Sequence, residues 1–208
     1  MNRPEVVIVD TGSANLASVA AALDRLDARV HVSNDASRIR DAPLVVLPGV
    51  GAFGPAMDRL RAGGLDAAVR NRVQRGHPLL AICLGMQLLC EGSEECKGVI
   101  GLSVAPGLVR RFQPPARVPQ MGWNMVTPTP GAALLQAAAM YFANSYRLEC
   151  IPAGWAGATS DFGGTFASAL ERGPVLACQF HPELSGEHGL QLIGRWLALG
   201  KDSEGGSC

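Results

Sequence analysis

The chain has 208 residues, of which 48% are hydrophobic and 17% charged, and its 18 Lys and Arg residues balance 18 Asp and Glu residues. This length is enough to bury a sizeable core and indicates one domain over 1–200, followed by a disordered tail at 201–208. The zero net charge favours neither nucleic acid nor a membrane surface as a partner, and no apolar run reaches the roughly 20 residues of a membrane span.

The first ninety residues alternate between strand-like and helix-like patterns. The predicted strands are EVVIVD (5–10), followed by a turn at TGSAN (11–15), ARVHVS (28–33), LVVL (44–47) and PLLAI (78–82). The predicted helices, which have apolar residues at helical spacing, are 16–28, 56–64, 65–76 and 84–91. This alternation is typical of an α/β fold with a mostly parallel central sheet flanked by helices. Such sheets place their functional sites beyond the carboxyl ends of the strands.

From about residue 99 to 180 the apolar runs become shorter, and Pro and Gly become more frequent. We interpret this region as antiparallel strands and hairpins that are added to the sheet. The runs are VIGLSV (99–104), GLVRRF (107–112), MYFANSY (140–146), GATSDFGGTFASAL (157–170) and PVLACQF (174–180), with a loop at PPARVPQMGWN (114–124). An amphipathic helix is predicted at 188–200.

The chain has six cysteines, and none of them forms a CxxC pair. The sequence therefore predicts no metal site and no cofactor. Because the N-terminal segment lacks the apolar core of a signal peptide, we expect a cytoplasmic protein with reduced thiols. Small buried core residues are the expected role of every cysteine except Cys83.

Cys83 lies between PLLAI (78–82) and LGMQLLCE (84–91), where a predicted strand becomes a predicted helix. In a nucleophile elbow, the nucleophile occupies a sharp turn at this position and its side chain leaves the sheet. The following helix N-terminus favours the thiolate, and Gly85 lets the backbone approach a neighbour closely. A buried core cysteine is the alternative that this stretch alone leaves open.

A cysteine nucleophile needs a base and a group that orients the base. His181 follows the run PVLACQF and is followed by Pro182 and Glu183. Pro182 favours an extended conformation at His181, and side chains at i and i+2 of an extended chain point to the same side. The pattern predicts a triad of Cys83, His181 and Glu183 if the two strand ends are neighbours; the alternative is an ordinary surface turn. The other histidines, expected to be structural or solvated, are His31, His77 and His188.

Acyl-transfer chemistry also requires an oxyanion hole. The N–H of Leu84 is one candidate donor, and Val50 or Gly51 in the loop PGVGAFG (48–54) is another. The glycines of this loop permit positive φ values that turn backbone N–H groups inward. A loop of this kind is weak evidence by itself, because Pro/Gly-rich turns are common.

Taken together, PGVGAFG, PLLAICLGMQLL, VPQMGWN, YFANSY and QFHPELSG resemble the class I glutamine amidotransferases over about residues 5 to 199. With DTGSANLASV, the set is most similar to the glutaminase subunits of imidazole glycerol phosphate synthase, which act in histidine biosynthesis. The resemblance implies a flavodoxin-like fold and hydrolysis of L-glutamine to L-glutamate and ammonia. It also implies a partner, a (β/α)8 cyclase subunit, which receives the ammonia within a heterodimer.

The resemblance implies roles for further residues. Gln87 would contact the substrate glutamine, Ser145 and Tyr146 would offer backbone contacts to it, and Gly49 and Gly51 would shape the oxyanion loop. The partner interface would include six residues of this chain: Gln120, Met121, Trp123, Asn124, Asn144 and Leu184.

Three of the interface positions depart from the family's usual pattern. The family commonly has His where this chain has Gln120 and Asn144, and Lys where it has Leu184. Because these departures put the partner's identity in doubt, a glutaminase that serves a related synthase, such as one that amidinates a surface sugar, is an alternative. Two further alternatives are a catalytically silent docking subunit and a cysteine peptidase of the same fold.

Overall fold

The computed structural model of the protein describes residues 3–12 and 16–202. Most of the predicted turn at 11–15 and of the predicted tail therefore lies outside the described residues. Within them, the strands are β1 (Glu5–Val9), β2 (Arg29–Ser33), β3 (Leu44–Leu47), β4 (Leu79–Ile82), β5 (Gly92–Ser93), β6 (Leu108–Arg111), β7 (Gln120–Pro128), β8 (Ala138–Asn144), β9 (Tyr146–Leu148), β10 (Ala156–Asp161), β11 (Thr165–Arg172) and β12 (Val175–Cys178). The helices are α1 (Leu16–Arg25), α2 (Ala36–Asp41), α3 (Phe53–Ala62), α4 (Leu65–Gln74), α5 (Leu84–Leu88) and α6 (Gly186–Asp202), with a 3₁₀ turn at Pro182–Leu184.

The strands form one mixed sheet in the order β2-β1-β3-β4-β12-β11-β10-β7-β8, with β5, β6 and β9 attached to its side. The pairs from β2 to β12 are parallel, and the pairs from β12 to β8 are antiparallel. The parallel strands β4 and β12 are direct neighbours, with Ile82 opposite Cys178. The segments that follow these two strands, which contain Cys83 and His181, therefore leave the sheet side by side.

Helices cover both faces of the inner parallel strands, so β3, β4 and β12 are apolar and buried throughout, whereas the edge strand β2 contains polar residues. On one face, Val7 and Val45 pack in a core with Met57 of α3 and Val69 of α4. On the other face, the alternate strand residues, such as Ile8 and Val46, pack with Leu23 of α1 and Trp196 of α6. The α/β architecture predicted from the sequence is confirmed.

Several elements differ from the sequence prediction in the first half: β5 was not predicted, and the helix predicted at 84–91 ends at Leu88. The short helix α2 was not predicted, because Ile39 is its one buried apolar residue; its start is signalled by Asp35, whose side chain accepts hydrogen bonds from the N–H groups of Ser37 and Arg38. The strand predicted at 99–104 is wrong apart from an isolated bridge at Ile100. There, residues 101–104 donate their N–H groups to carbonyls of 88–91 at the end of α5.

The antiparallel half was predicted more closely, with two corrections. The segment 120–124 was assigned to a loop, but it is the start of β7 and pairs with β8 through residues such as Gln120 and Asn144. The run PVLACQF forms β12, which is antiparallel to β11 but parallel to β4. This mixed pairing places the end of β12 beside the end of β4.

Candidate active site

Cys83 occupies a strained turn between β4 and α5. Its φ is +53° and its ψ is −111°, a conformation that costs free energy in a residue other than glycine. The N–H of Cys83 donates to the carbonyl of Cys178 at 2.7 Å, so the turn is fixed to β12. The side chain of Cys83 is largely buried, and its sulfur faces a pocket.

Two glycines allow the turn to lie against the loop after β3. A Cβ placed on Gly85 would lie 2.0 Å from the carbonyl oxygen of Leu47, and a Cβ on Gly49 would lie 2.7 Å from the N of Gly85. No side chain fits at either distance, so the two backbones meet directly. In the same loop Gly51 has a φ of +93°, and Val50 and Gly51 both line the pocket beside Cys83 and Leu84.

His181 and Glu183 form a buried pair beyond the end of β12. The distance between His181 Nδ1 and Glu183 Oε1 is 2.8 Å, and the two side chains are 6% and 1% exposed. His181 is extended, as Pro182 predicts, but Pro182–Leu184 forms a 3₁₀ turn. The extended geometry predicted for Glu183 is therefore wrong, although the contact that it was used to predict is present.

Two opposing effects act on the pKa of His181. Burial lowers it, but hydrogen bonds to Cys83 and Glu183, together with their negative charges, outweigh the burial and raise the pKa to about 10. The raised pKa favours the protonated form of the His181 ring, an imidazolium. An imidazolium that is hydrogen-bonded to a thiol sulfur stabilises the thiolate, which is the nucleophilic form of cysteine.

Replacing Cys83 with alanine should lower the pKa of His181 from about 10 toward its ordinary value of 6.5, since the hydrogen bond and the charge of Cys83 both raise it. NMR titration of the His181 ring measures this shift, with Cys150→Ala, an exposed thiol, as the control. A raised pKa contributes stability that is complete below about pH 6.5 and is lost as the pH rises toward 10. An unchanged pKa in the alanine variant would contradict the Cys83–His181 contact.

The pocket at Cys83 has a volume of about 420 Å³, and most of the predicted site residues line it. Gly49 and Glu183 do not line it. Gly49 packs against Gly85, and Glu183 contacts the ring of His181. The predicted site residues that line it are Val50, Gly51, Cys83, Leu84, Gln87, Asn144, Ser145, Tyr146, His181 and Leu184. Among residues 3–12 and 16–202, no group of three or more His, Cys, Asp or Glu side chains is arranged to hold a metal ion.

Gln179 is a site residue that the sequence argument missed. Its Nε2 donates to Cys83 Sγ at 3.7 Å, and its Oε1 accepts from Gln87 Nε2 at 2.9 Å. The Nε2 of Gln87 also donates to the carbonyl of Tyr146. The two amides therefore link the nucleophile to the segment after β8. The available signal was the position of Gln179, two residues before His181.

Glu95 was also missed, because it follows no recognisable strand or helix pattern. It lines the pocket, and its Oε2 accepts a hydrogen bond from the N–H of Phe53 at 2.8 Å. Its carboxylate is the one acidic group among the pocket-lining residues that the structure describes. A carboxylate in this position can bind a cationic group of a ligand.

The predicted interface residues divide between two faces of the β7–β8 hairpin. Met121 and Trp123 are 68% and 60% exposed, and Met125, which was not predicted, is 53% exposed on the same face. Leu184, at the pocket rim, is 42% exposed. Gln120 and Asn144 are instead buried opposite each other. Asn124 donates its side-chain N–H to the carbonyl of Asp161.

Comparison with known proteins gives one consistent family. The family model described as "Glutamine amidotransferase class-I" matches residues 7–197. The "Imidazole glycerol phosphate synthase subunit HisH" of Moorella thermoacetica is 45% identical over 196 residues, covering 90% of this chain and 91% of the relative. That of Deinococcus radiodurans is 44% identical, covering 91% of each. A solved structure described as "Crystal structure of glutamine amidotransferase" has a TM-score of 0.75 at 21% identity, covering 94% of this chain and 98% of its own. In the part of the chain that is described here, no helix is long and apolar enough to cross a membrane.

Proposed function

The chain belongs to the class I glutamine amidotransferase family, and we propose that Cys83, His181 and Glu183 are the triad with which it hydrolyses L-glutamine. It is a glutaminase subunit of imidazole glycerol phosphate synthase, an enzyme of histidine biosynthesis. The names of these relatives favour this function over service to a surface-sugar synthase. The observation that carries the proposed triad is the buried His181–Glu183 pair beside a cysteine on a strained elbow.

The reaction begins with the Cys83 thiolate and the His181 imidazolium. The sulfur attacks the side-chain amide carbon of glutamine, and the negative charge moves to the amide oxygen. The N–H of Leu84 and that of Val50 or Gly51 stabilise this oxyanion. When the C–N bond breaks, His181 donates its proton to the leaving nitrogen, ammonia departs, and a glutamyl thioester remains.

The second half of the reaction restores the enzyme. The neutral His181 ring takes a proton from water, and the resulting hydroxide attacks the thioester carbon. The C–S bond then breaks, which releases glutamate and regenerates the thiolate beside the imidazolium. Throughout both halves, Glu183 accepts the hydrogen bond from Nδ1, holds the ring orientation and stabilises its charge.

The pocket has groups that complement the amino-acid end of glutamine. The Glu95 carboxylate would bind the α-ammonium, and the backbone of Ser145 and Tyr146 would bind the α-carboxylate. Gln87, held by Gln179 and the carbonyl of Tyr146, would contact the side-chain amide near Cys83. The contacts of Glu95, Ser145 and Tyr146 act at a distance from the reacting carbon, so they contribute mainly to substrate binding.

Replacing Glu95 with glutamine should raise KM for glutamine by about 10- to 100-fold, because a hydrogen bond to a charged group contributes roughly 1.5–3 kcal/mol. We expect kcat to change by less than about threefold. A contact that is equally strong in the bound substrate and in the transition state affects KM and not kcat. Steady-state kinetics test this, with Glu94→Gln as the control, because Glu94 pairs with Arg110 outside this pocket. A fall in kcat at unchanged KM would contradict the binding role.

We further propose that the chain forms a cytoplasmic heterodimer with a (β/α)8 cyclase subunit and delivers ammonia to it. The exposed face of β7, formed by Met121, Trp123 and Met125, supports this proposal, because contiguous exposed apolar side chains are typical of interaction sites. We call these three residues the β7 face. Leu184, at the pocket rim, would extend the same surface toward the catalytic residues.

Purification of the complex from the native cell, followed by mass identification of the partner, tests the proposed assembly. The purified complex should convert glutamine to glutamate and use the nitrogen for the synthase product. Glutamate release without a cyclase in the complex would point to the related-synthase alternative. A complex that makes product only from added ammonium salt would indicate a silent docking subunit, and cleavage of peptides would indicate a peptidase.

A further inference from the structure

The catalytic His181 turn is hydrogen-bonded to the free edge of β8. The N–H of His181 donates to the carbonyl of Tyr141, and the N–H of Tyr141 donates to Ser185 Oγ, both at 2.9 Å. Ser185 Oγ in turn donates to the carbonyl of His181 at 2.6 Å. These three hydrogen bonds form a closed ring. The ring links the backbone of Tyr141 in β8 to His181 and Ser185, which lie at the two ends of the turn.

Ser185 is buried, and its hydroxyl is bonded within this ring. Its side chain is 1% exposed, and its donor and acceptor functions are both used within the ring. On the other side of the turn, a Cβ on Gly189 would lie 1.9 Å from the carbonyl oxygen of Pro182, so α6 packs directly on the turn backbone. The turn is therefore held between α6 and β8, and Ser185 provides a hydrogen-bond connection to β8.

Tyr141 is also in contact with the exposed β7 face. It lies opposite Trp123 in the β7–β8 register, and the two rings meet edge to face with their centroids 6.1 Å apart. The N–H and carbonyl of Tyr141 point away from β7 toward the turn, so Tyr141 and Trp123 form a non-hydrogen-bonded pair, in which cross-strand side chains lie closest. Trp123 and Tyr141 therefore place the exposed β7 face in direct contact with the residue whose peptide groups bind the turn.

We propose that Ser185 is a positioning residue that couples docking of a partner on the β7 face to the orientation of the catalytic His181. This inference rests on the proposed function, because it requires glutaminase activity and a partner at Trp123. Docking restrains Trp123 and Tyr141, which holds the Tyr141–Ser185–His181 ring in the geometry that directs the imidazole to Cys83 and to the leaving nitrogen. Because β8 is the outermost strand of the described sheet, a partner bound at Trp123 adds a restraint on this ring that the isolated chain lacks.

The test compares wild type with Ser185→Ala in glutamine hydrolysis, measured with and without a saturating amount of the cyclase subunit. In the variant, the factor by which the partner stimulates kcat should fall about tenfold, the effect of losing roughly 1.4 kcal/mol of positioning interaction, while KM changes by less than about twofold. Ser185→Thr, which keeps the hydroxyl, should recover most of the stimulation. Ser168→Ala is the matched control, because Ser168 is fully buried and its hydroxyl has no hydrogen-bond partner within the described residues.

A purely structural role for Ser185 predicts a different result. In that case Ser185→Ala lowers kcat by the same factor with and without the partner, and the proposal is wrong. The double variant with Trp123→Ala should be no less active in the complex than Ser185→Ala alone, because both changes interrupt the same path; additive losses would overturn the inference. If the wild-type complex does not hydrolyse glutamine at all, the proposed function fails, and this inference fails with it.

Hydrogen exchange provides a second test. It uses only the wild-type protein, so it does not require that any variant folds correctly. Partner binding should slow exchange at the amides of Tyr141 and His181, which are the two backbone donors of the ring. Unchanged exchange at both amides in a complex that is otherwise active would show that docking does not tighten the ring, and would overturn the proposal.

Discussion

Replacement of Cys83 by alanine is expected to lower glutamine-dependent turnover by at least about 10⁴-fold, as is typical for loss of a covalent nucleophile. No other cysteine in the described part of the chain lies in a comparable environment. Burial raises the pKa of Cys90 to about 12 and that of Cys178 well above its ordinary value. The raised pKa values disfavour a thiolate at both residues, and neither lines the pocket that contains Cys83 and His181, so neither replaces Cys83.

The same variant should leave the use of free ammonia intact, because the proposed cyclase subunit would carry out that chemistry. The measurement is synthase product formed from glutamine and, separately, from an ammonium salt, for the complex that contains each variant. Cys150→Ala, which removes an exposed thiol, should match wild type with both nitrogen sources. Glutamine-dependent product at the wild-type rate in the Cys83→Ala complex would rule out the proposed triad.

The proposed nucleophile, Cys83, and its proposed base, His181, could be suggested from the sequence because each lies in a local pattern at the end of a strand. An apolar run followed by a helical segment predicts the turn at Cys83, and an apolar run followed by His-Pro-Glu predicts the pair at His181. That these segments are neighbours follows from the parallel pairing of β4 with β12. The sequence alone does not specify this pairing, since the two strands are about a hundred residues apart.

The missed site residues act through contacts that no local pattern encodes. Glu95 is fixed by the N–H of Phe53, which lies 42 residues earlier, and Ser185 by Tyr141, 44 residues earlier. The irregular segment 99–104 was misassigned for the same reason, because its apolar residues resemble a strand. The carbonyl groups that its N–H groups bind belong to the end of α5.

Gly85→Ala is expected to have the second largest effect, because it separates the elbow from the loop after β3. The added Cβ would lie 2.0 Å from the carbonyl oxygen of Leu47, and a backbone atom cannot move aside as the end of a side chain can. The elbow must therefore shift, and the N–H of Leu84 shifts with it. Loss of one oxyanion-hole donor lowers kcat by about 10²- to 10³-fold, and overpacking of this kind destabilises a fold by about 1–3 kcal/mol.

Gly194→Ala separates the backbone clash from the general effect of adding a methyl group. Gly194 lies within α6, and a Cβ there would come no closer than 4.0 Å to another residue, at Leu26. Alanine at such a position should stabilise the helix by about 0.5–1 kcal/mol and leave kcat unchanged. Urea unfolding and steady-state kinetics of the two variants test both expectations. If Gly85→Ala keeps the wild-type kcat, Leu84 does not stabilise the oxyanion. If it keeps the wild-type stability as well, the close approach of Gly85 to Leu47 is not a constraint on the elbow.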